Sequence, residues 1–213
     1  WAKDLVHVAF GMVSTEEGTL STREGRVVFL EDVFEEAIKR TKAIMLEKNP
    51  GLANMDEVAK EVGVGAVVFS ALSSSRIKDI VFSWDRTLNF DGETGPYCQY
   101  THARCCLLLA RGGYDPGAPV DYSQVTDDES MELVRLLAAF PGVVRSAAEK
   151  YEPFFITRQV VEIAKAYNRF YLAHRILGEA EEVKNARLAL TQAVKTVIAA
   201  GLGLLGIAAP ERM

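Results

Sequence analysis

Apolar positions recur at helical spacing along most of this chain, and crowd into a strand-like run only near its start. From Leu5 to Val13, β-branched and aromatic residues precede the polar stretch Ser14–Gly18, which predicts a strand and then a loop. Arg26–Leu30 predicts a second short strand, or a loop returning to a helix. Between Glu31 and Glu47, Val33, Phe34, Ala37, Ile38, Thr41, Ile44 and Met45 share one helical face, and Asn49-Pro50-Gly51 stops the helix. Asn54 caps a further helix to about Val62, with Asp56 and Glu57 in its first turn. Gly63–Leu72, apolar and punctuated by glycine, fits helix or strand, and Ile80–Asp85 reads as extended.

After Asp91-Gly92 only helical patterns remain, which places a boundary near Asp91. Pro96 suits a first helical position and Gly112-Gly113 the end of that helix. Thr126 and Glu129 make a capping box for the next helix, which Phe140-Pro141 is expected to break. Glu152-Pro153 ends another, and two longer helices follow at about Ile156–Leu177 and Glu181–Leu205. The loop from Gly112 to Val125, with Pro116 and Pro119, is the longest excursion.

The helix predicted from Ile156 carries the most suggestive surface. Ile156, Val160, Ile163, Tyr167 and Phe170 form one buried stripe, while Arg158, Lys165 and Arg169 lie opposite. Asn168 and Tyr171 fall on the border. A basic face edged by an aromatic ring and an amide suits unstacked RNA bases, since the ring stacks, the amide reads an edge and the cations hold phosphate. An ordinary solvated helix has the same periodicity.

Composition narrows the class without adding chemistry. Apolar residues make up 49% and charged residues 25%, which excludes disordered and collagen-like chains. The longest apolar run, Val197–Ala209, contains three glycines and falls short of the roughly 18 residues a membrane span needs. Three cysteines supply no disulfide framework and no signal segment opens the chain, so a reducing cytoplasm is expected. The opening at Trp1 reads as the middle of a longer polypeptide. The net charge of −5 argues against bulk coating of nucleic acid. Residues 1–96 hold 11 basic against 16 acidic side chains, and residues 97–213 hold 13 of each, so an RNA site must be a local patch.

Several patterns carry less than they suggest. Gly201-Leu202-Gly203-Leu204-Leu205-Gly206 spells a dinucleotide fingerprint, but a helix precedes it and Pro210 follows, so its glycines are expected to let a helix end pack closely. Cys98, Cys105 and Cys106 share a helix with no second ligand pair, and no metal site is expected. His174 falls on an apolar helix face, where core packing is the default. Gly18-Thr19-Leu20-Ser21-Thr22-Arg23-Glu24-Gly25 is a polar loop with one cation after a strand. It suits a flap over phosphate as well as an ordinary hydrophilic turn.

Seven strings, taken in order, go beyond periodicity. They are His7–Val13, Leu20–Gly25, Val62–Val67, Asp79–Asp85, Gly95–Arg104, Asn168–Tyr171 and the ending Ala209-Pro210-Glu211-Arg212-Met213. Together they closely resemble the carboxy-terminal part of arginyl-tRNA synthetase, a class I enzyme. The resemblance implies a mainly α fold: residues 1–90 would be a remnant of the Rossmann-type α/β catalytic domain with its KMSKS-type loop and connecting region. Residues 91–213 would be the helical anticodon-binding bundle of the DALR type, whose motif corresponds to Ala186-Arg187-Leu188-Ala189-Leu190.

The resemblance also implies roles. The parent enzyme would join arginine to its tRNA through an arginyl-adenylate, using ATP with Mg2+, with no membrane or DNA partner. Ser21, Thr22 and Arg23 would serve ATP and pyrophosphate on the loop, although Thr19 and Glu24 stand where the signature has lysines. Tyr97, Arg104, Tyr171 and Met213 match the family's anticodon-contacting positions, and Asn168, one turn before Tyr171, joins them as our own addition. The His-x-Gly-His signature that grips ATP is not in these residues, so the chain alone is expected to bind RNA, hold no cofactor and activate no amino acid. The alternative is a non-catalytic RNA-binding or assembly module that reuses the bundle.

Overall fold

Helices form wherever the 3.6-residue apolar spacing finds a partner face, and strands only where a neighbouring segment supplies a ladder. The computed structural model of the protein describes residues 1–16 and 28–213, with the backbone of 18–19. The predicted strand at Leu5–Val13 is displaced, and β1 spans Val13–Thr15. It pairs antiparallel with β2 (Gly18–Thr19) and parallel with β3 (Ile80–Phe82), in the order β2-β1-β3. The parallel register is Val13↔Ile80, Ser14↔Val81 and Thr15↔Phe82. Residues 5–10 have the composition of a strand but no ladder partner among the described residues, and Leu5, Val6 and Phe10 are exposed.

Two helices follow this small sheet's first hairpin in sequence. α1 (Leu30–Lys48) packs along α2 (Met55–Leu72), a single helix that runs straight through the glycines expected to punctuate it. Gly63 shows why: a Cβ there would come within 2.8 Å of the Ile38 backbone nitrogen, so the missing side chain brings the two helix backbones together. The short helix α3 (Trp84–Thr87) closes the segment after β3.

The remaining helices enclose the larger core. α4 (Gly95–Gly112) begins at Thr94, whose hydroxyl accepts from the Tyr97 amide, and ends at Gly113 in the left-handed conformation. α5 (Asp128–Lys150) starts one residue later than expected, because Asp127 rather than Thr126 is its cap. The Asp127 carboxylate accepts from the Ser130 amide and hydroxyl at 2.8 and 2.9 Å. The larger correction is at Pro141, which does not break α5. The proline removes only the bond to the Leu137 carbonyl, and α5 is held through it by packing along the next helix, whose Gln159 amide donates to the neighbouring Leu136 carbonyl at 2.8 Å.

α6 spans Phe154–Ala173 and α7 spans Glu181–Leu204. Tyr167, Phe170, Ile163 and Val160 of α6 are fully buried with Leu133 of α5 and Leu188, Ile198 and Leu202 of α7. Phe69 carries α2 into the same core. Gly201 lies flush against α6, where a Cβ would meet Val160 Cγ2 at 2.4 Å, so the glycine-rich run serves close packing. A smaller core joins Met45 of α1 to Val58, Ala59 and Val62 of α2, with Phe90 and Met213 against it.

Candidate anticodon interface

α4 and α6 meet where polar side chains from both helices converge. On α4, Tyr97, Thr101 and Arg104 lie about one turn apart, and Thr101 is buried. On α6, Asn168 and Tyr171 are one turn apart. Arg104 donates from Nη1 to Asn168 Oδ1 at 2.5 Å. Asn168 in turn donates from Nδ2 to the Tyr97 hydroxyl at 2.8 Å and to Thr101 Oγ1 at 3.2 Å. The guanidinium carbon of Arg104 lies 4.9 Å from the Tyr100 ring centre and 5.2 Å from that of Tyr171. Tyr100 is 43% and Tyr171 38% exposed, so both rings reach solvent.

The electrostatics of this cluster differ from those of the rest of α6. No carboxylate pairs with Arg104 among the described residues; its neighbours are an amide oxygen and two rings. Two of the three cations expected to hold phosphate, Lys165 and Arg169, are instead engaged with acids. Lys165 is bonded to Glu93 and lies 3.3 Å from Glu162, and the Glu93 carboxylate raises the lysine above its ordinary pKa. Arg169 donates to Glu132 at 2.7 Å. Acids from elsewhere in the fold, Glu93 and Glu132, therefore offset two of the positive charges on this helix. Both ends of the Asn168 amide are hydrogen-bonded within the protein.

The other sequence candidates lie apart. The Met213 carbonyl accepts from Asn49 Nδ2 at 3.1 Å, and its side chain packs on the smaller core. The tail reaches there across α4, where Gln99 donates to the Ala208 carbonyl and His102 contacts the Pro210 carbonyl. Ser21, Thr22, Arg23 and Glu24 lie outside the described residues. Cys98 and Cys105 are buried small residues, and burial pushes the Cys105 thiol up to about 12, so neither is a nucleophile.

A carboxylate–imidazole group does exist at the start of α5. His174 Nε2 lies 3.1 Å from both Asp127 and Glu129, with its ring on Phe170. These three side chains could touch one metal ion. Asp127 is already committed to capping, however, and the positive end of α5 opposes a cation there. The cluster works as a clamp between α5 and α6.

Comparison with known proteins fits this geometry. Residues 98–213 match the DALR anticodon binding domain, and residues 1–84 match the catalytic domain of class I (R) tRNA synthetases. The chain belongs to the arginyl-tRNA synthetase family. It is 54% identical over its whole length to an arginine–tRNA ligase of Clostridioides difficile and 53% identical to one of Halothermothrix orenii, spanning 38% of each relative. The arginyl-tRNA synthetase of Thermus thermophilus superposes on 97% of the chain with a TM-score of 0.89 at 36% identity, and 35% of that structure is covered. The chain thus spans little more than a third of the length of these relatives.

Within the family's bundle, the stretch Ala186–Leu190 is structural. Ala186, Leu188 and Leu190 are buried, and Arg187 donates to the Arg175 carbonyl across the α6–α7 connection. Leu188 packs against Gly112 at the end of α4. The motif therefore fixes α7 on α4 and α6 and leaves the α4–α6 cluster on the outside. No helix among the described residues is long and apolar enough to cross a membrane.

Proposed function

We propose that this chain supplies the tRNA-reading part of an arginine–tRNA ligase, with residues 1–90 on the catalytic side and residues 91–213 forming the bundle that receives the anticodon. The parent enzyme joins arginine to its tRNA at the expense of ATP, with Mg2+ as the companion ion. Ser21, Thr22 and Arg23 are the loop residues assigned to ATP and pyrophosphate. The chain by itself binds tRNA and does not activate arginine, because the His-x-Gly-His signature is not in its sequence.

The observation that carries the reading is Arg104. It is a cation without an acidic partner among the described residues, flanked by two half-exposed phenol rings and held in place by an amide. Splayed-out nucleotides need such a surface, with ring edges and faces for bases and a free guanidinium for phosphate or a base edge. A free-standing RNA-binding module is disfavoured by the catalytic-domain match over residues 1–84. Titration with arginine tRNA beside an anticodon-swapped transcript, at one fixed salt concentration, tests the proposal. Preference for the arginine anticodon supports it, and equal affinity for both transcripts rejects it.

A further inference from the structure

We infer that Asn168 is a positioning residue that sets the hydrogen-bonding polarity of the anticodon site, making it select a base edge with adjacent acceptor atoms. The inference rests on the anticodon-reading role proposed above and adds which chemistry is read.

The polarity follows from a chain of donors whose direction is forced. A guanidinium has no acceptor, so the Asn168 atom facing Arg104 must be the carbonyl oxygen. The Nδ2 group then faces Tyr97 and Thr101, and each of its two protons has an oxygen within reach. Both hydroxyls must accept. Thr101 spends its own proton on the Tyr97 carbonyl at 2.9 Å. Tyr97 has no such internal acceptor among the described residues, so its phenolic proton is free for a ligand. Arg104 keeps the N–H groups that Asn168 does not use.

Left for a ligand, then, are the phenolic O–H of half-buried Tyr97 and the remaining N–H groups of Arg104, all donors. Two adjacent acceptors match this pair, as at O2 and N3 of cytosine or O6 and N7 of guanine. Uracil places an N–H at position 3 and adenine an amino group at position 6, and each would set donor against donor. The discrimination comes from Tyr97 and Arg104 touching the base, while Asn168 acts through them.

Arginine tRNA transcripts changed one anticodon base at a time, cytosine to uracil or guanine to adenine, test this with the whole chain. The wild-type protein should lose roughly tenfold in affinity at one anticodon position, and which swap does so identifies the base. Tyr97→Phe removes the phenolic proton, and Asn168→Asp makes Tyr97 donate inward while neutralising Arg104. In both variants the discrimination should fall to about twofold or less, with an unchanged thermal midpoint for Tyr97→Phe. Tyr97→Phe and Asn168→Asp combined should cost no more discrimination than either alone. Tight wild-type binding with full discrimination retained in both variants would overturn the polarity relay while leaving the anticodon role intact. Failure of the wild type to bind arginine tRNA would remove both.

Discussion

Two surfaces around α6 share a sequence signature and differ in chemistry. Lys165 and Arg169 have acids from other elements against them, whereas Arg104, reaching in from α4, sits over Tyr171 with no acidic partner among the described residues. A count of charges along one helix ranks the first surface higher. Partners decide otherwise: a cation already matched by a carboxylate must lose that contact before it holds phosphate, and an exposed pair has little net energy to give either way. A cation held by an amide and two rings keeps its full charge for an incoming anion or base.

The comparison can be broken at its foundation first. Both surfaces depend on the buried stripe of α6, so Tyr167→Ala should destabilise the bundle by about 3–5 kcal/mol in urea unfolding and abolish binding along with it. A smaller loss would mean that the stripe is not the shared scaffold. Next in size, Arg104→Ala and Tyr171→Ala should each weaken tRNA binding by about 1–3 kcal/mol, the range for lost base stacking, with little change in unfolding midpoint. Unchanged affinity in both variants would strike out the cluster as the site.

The clamp at the start of α5 gives a smaller and pH-dependent effect. Asp127→Ala should cost about 1 kcal/mol of stability through loss of the helix cap. Burial pushes the Asp127 pKa up, but the hydrogen bonds from Ser130 and the nearby His174 outweigh it, and the net shift is downward. Glu129 is lowered as well, first by its bond to His174. Depressed folded-state values mean that this contribution is present above the ordinary carboxylate pKa and lost as pH falls through the lower folded value. Unfolding midpoints measured from about pH 6 down to about pH 3 should fall less steeply in Asp127→Asn than in the wild type. Identical slopes would rule out this source of acid sensitivity. Smallest of all, Lys165→Ala or Arg169→Ala should each change stability by no more than about 0.5–1 kcal/mol.

The helix ends that depend on local chemistry are legible in the sequence itself. Pro96 and Gly112-Gly113 bound α4 because a proline ring and a left-handed glycine act through their own backbone. Pro141 and Gly63 mislead for the opposite reason: packing of α5 along α6 carries the helix through the one, and the backbone of Ile38 decides what the other does. The site divides the same way. Periodicity puts Asn168 and Tyr171 on the border of α6, and the family resemblance supplies Tyr97 and Arg104. Tyr100 escapes both, although its place four residues before Arg104 is a usable signal for a ring on the same face. Glu93 and Glu132, which cancel Lys165 and Arg169, are 72 and 37 residues away in sequence, and no local pattern announces such pairs. Met213 belongs with the smaller core for a similar reason, since its partner Asn49 lies far away along the chain.

The most direct test sets the two surfaces against each other in one titration with arginine tRNA at fixed salt. Arg104→Ala should lose roughly tenfold or more in affinity, while the double variant Lys165→Ala/Arg169→Ala should stay within about threefold of wild type. A double variant that loses as much as Arg104→Ala, or an Arg104→Ala protein that binds like wild type, would contradict the placement of the interface between α4 and α6.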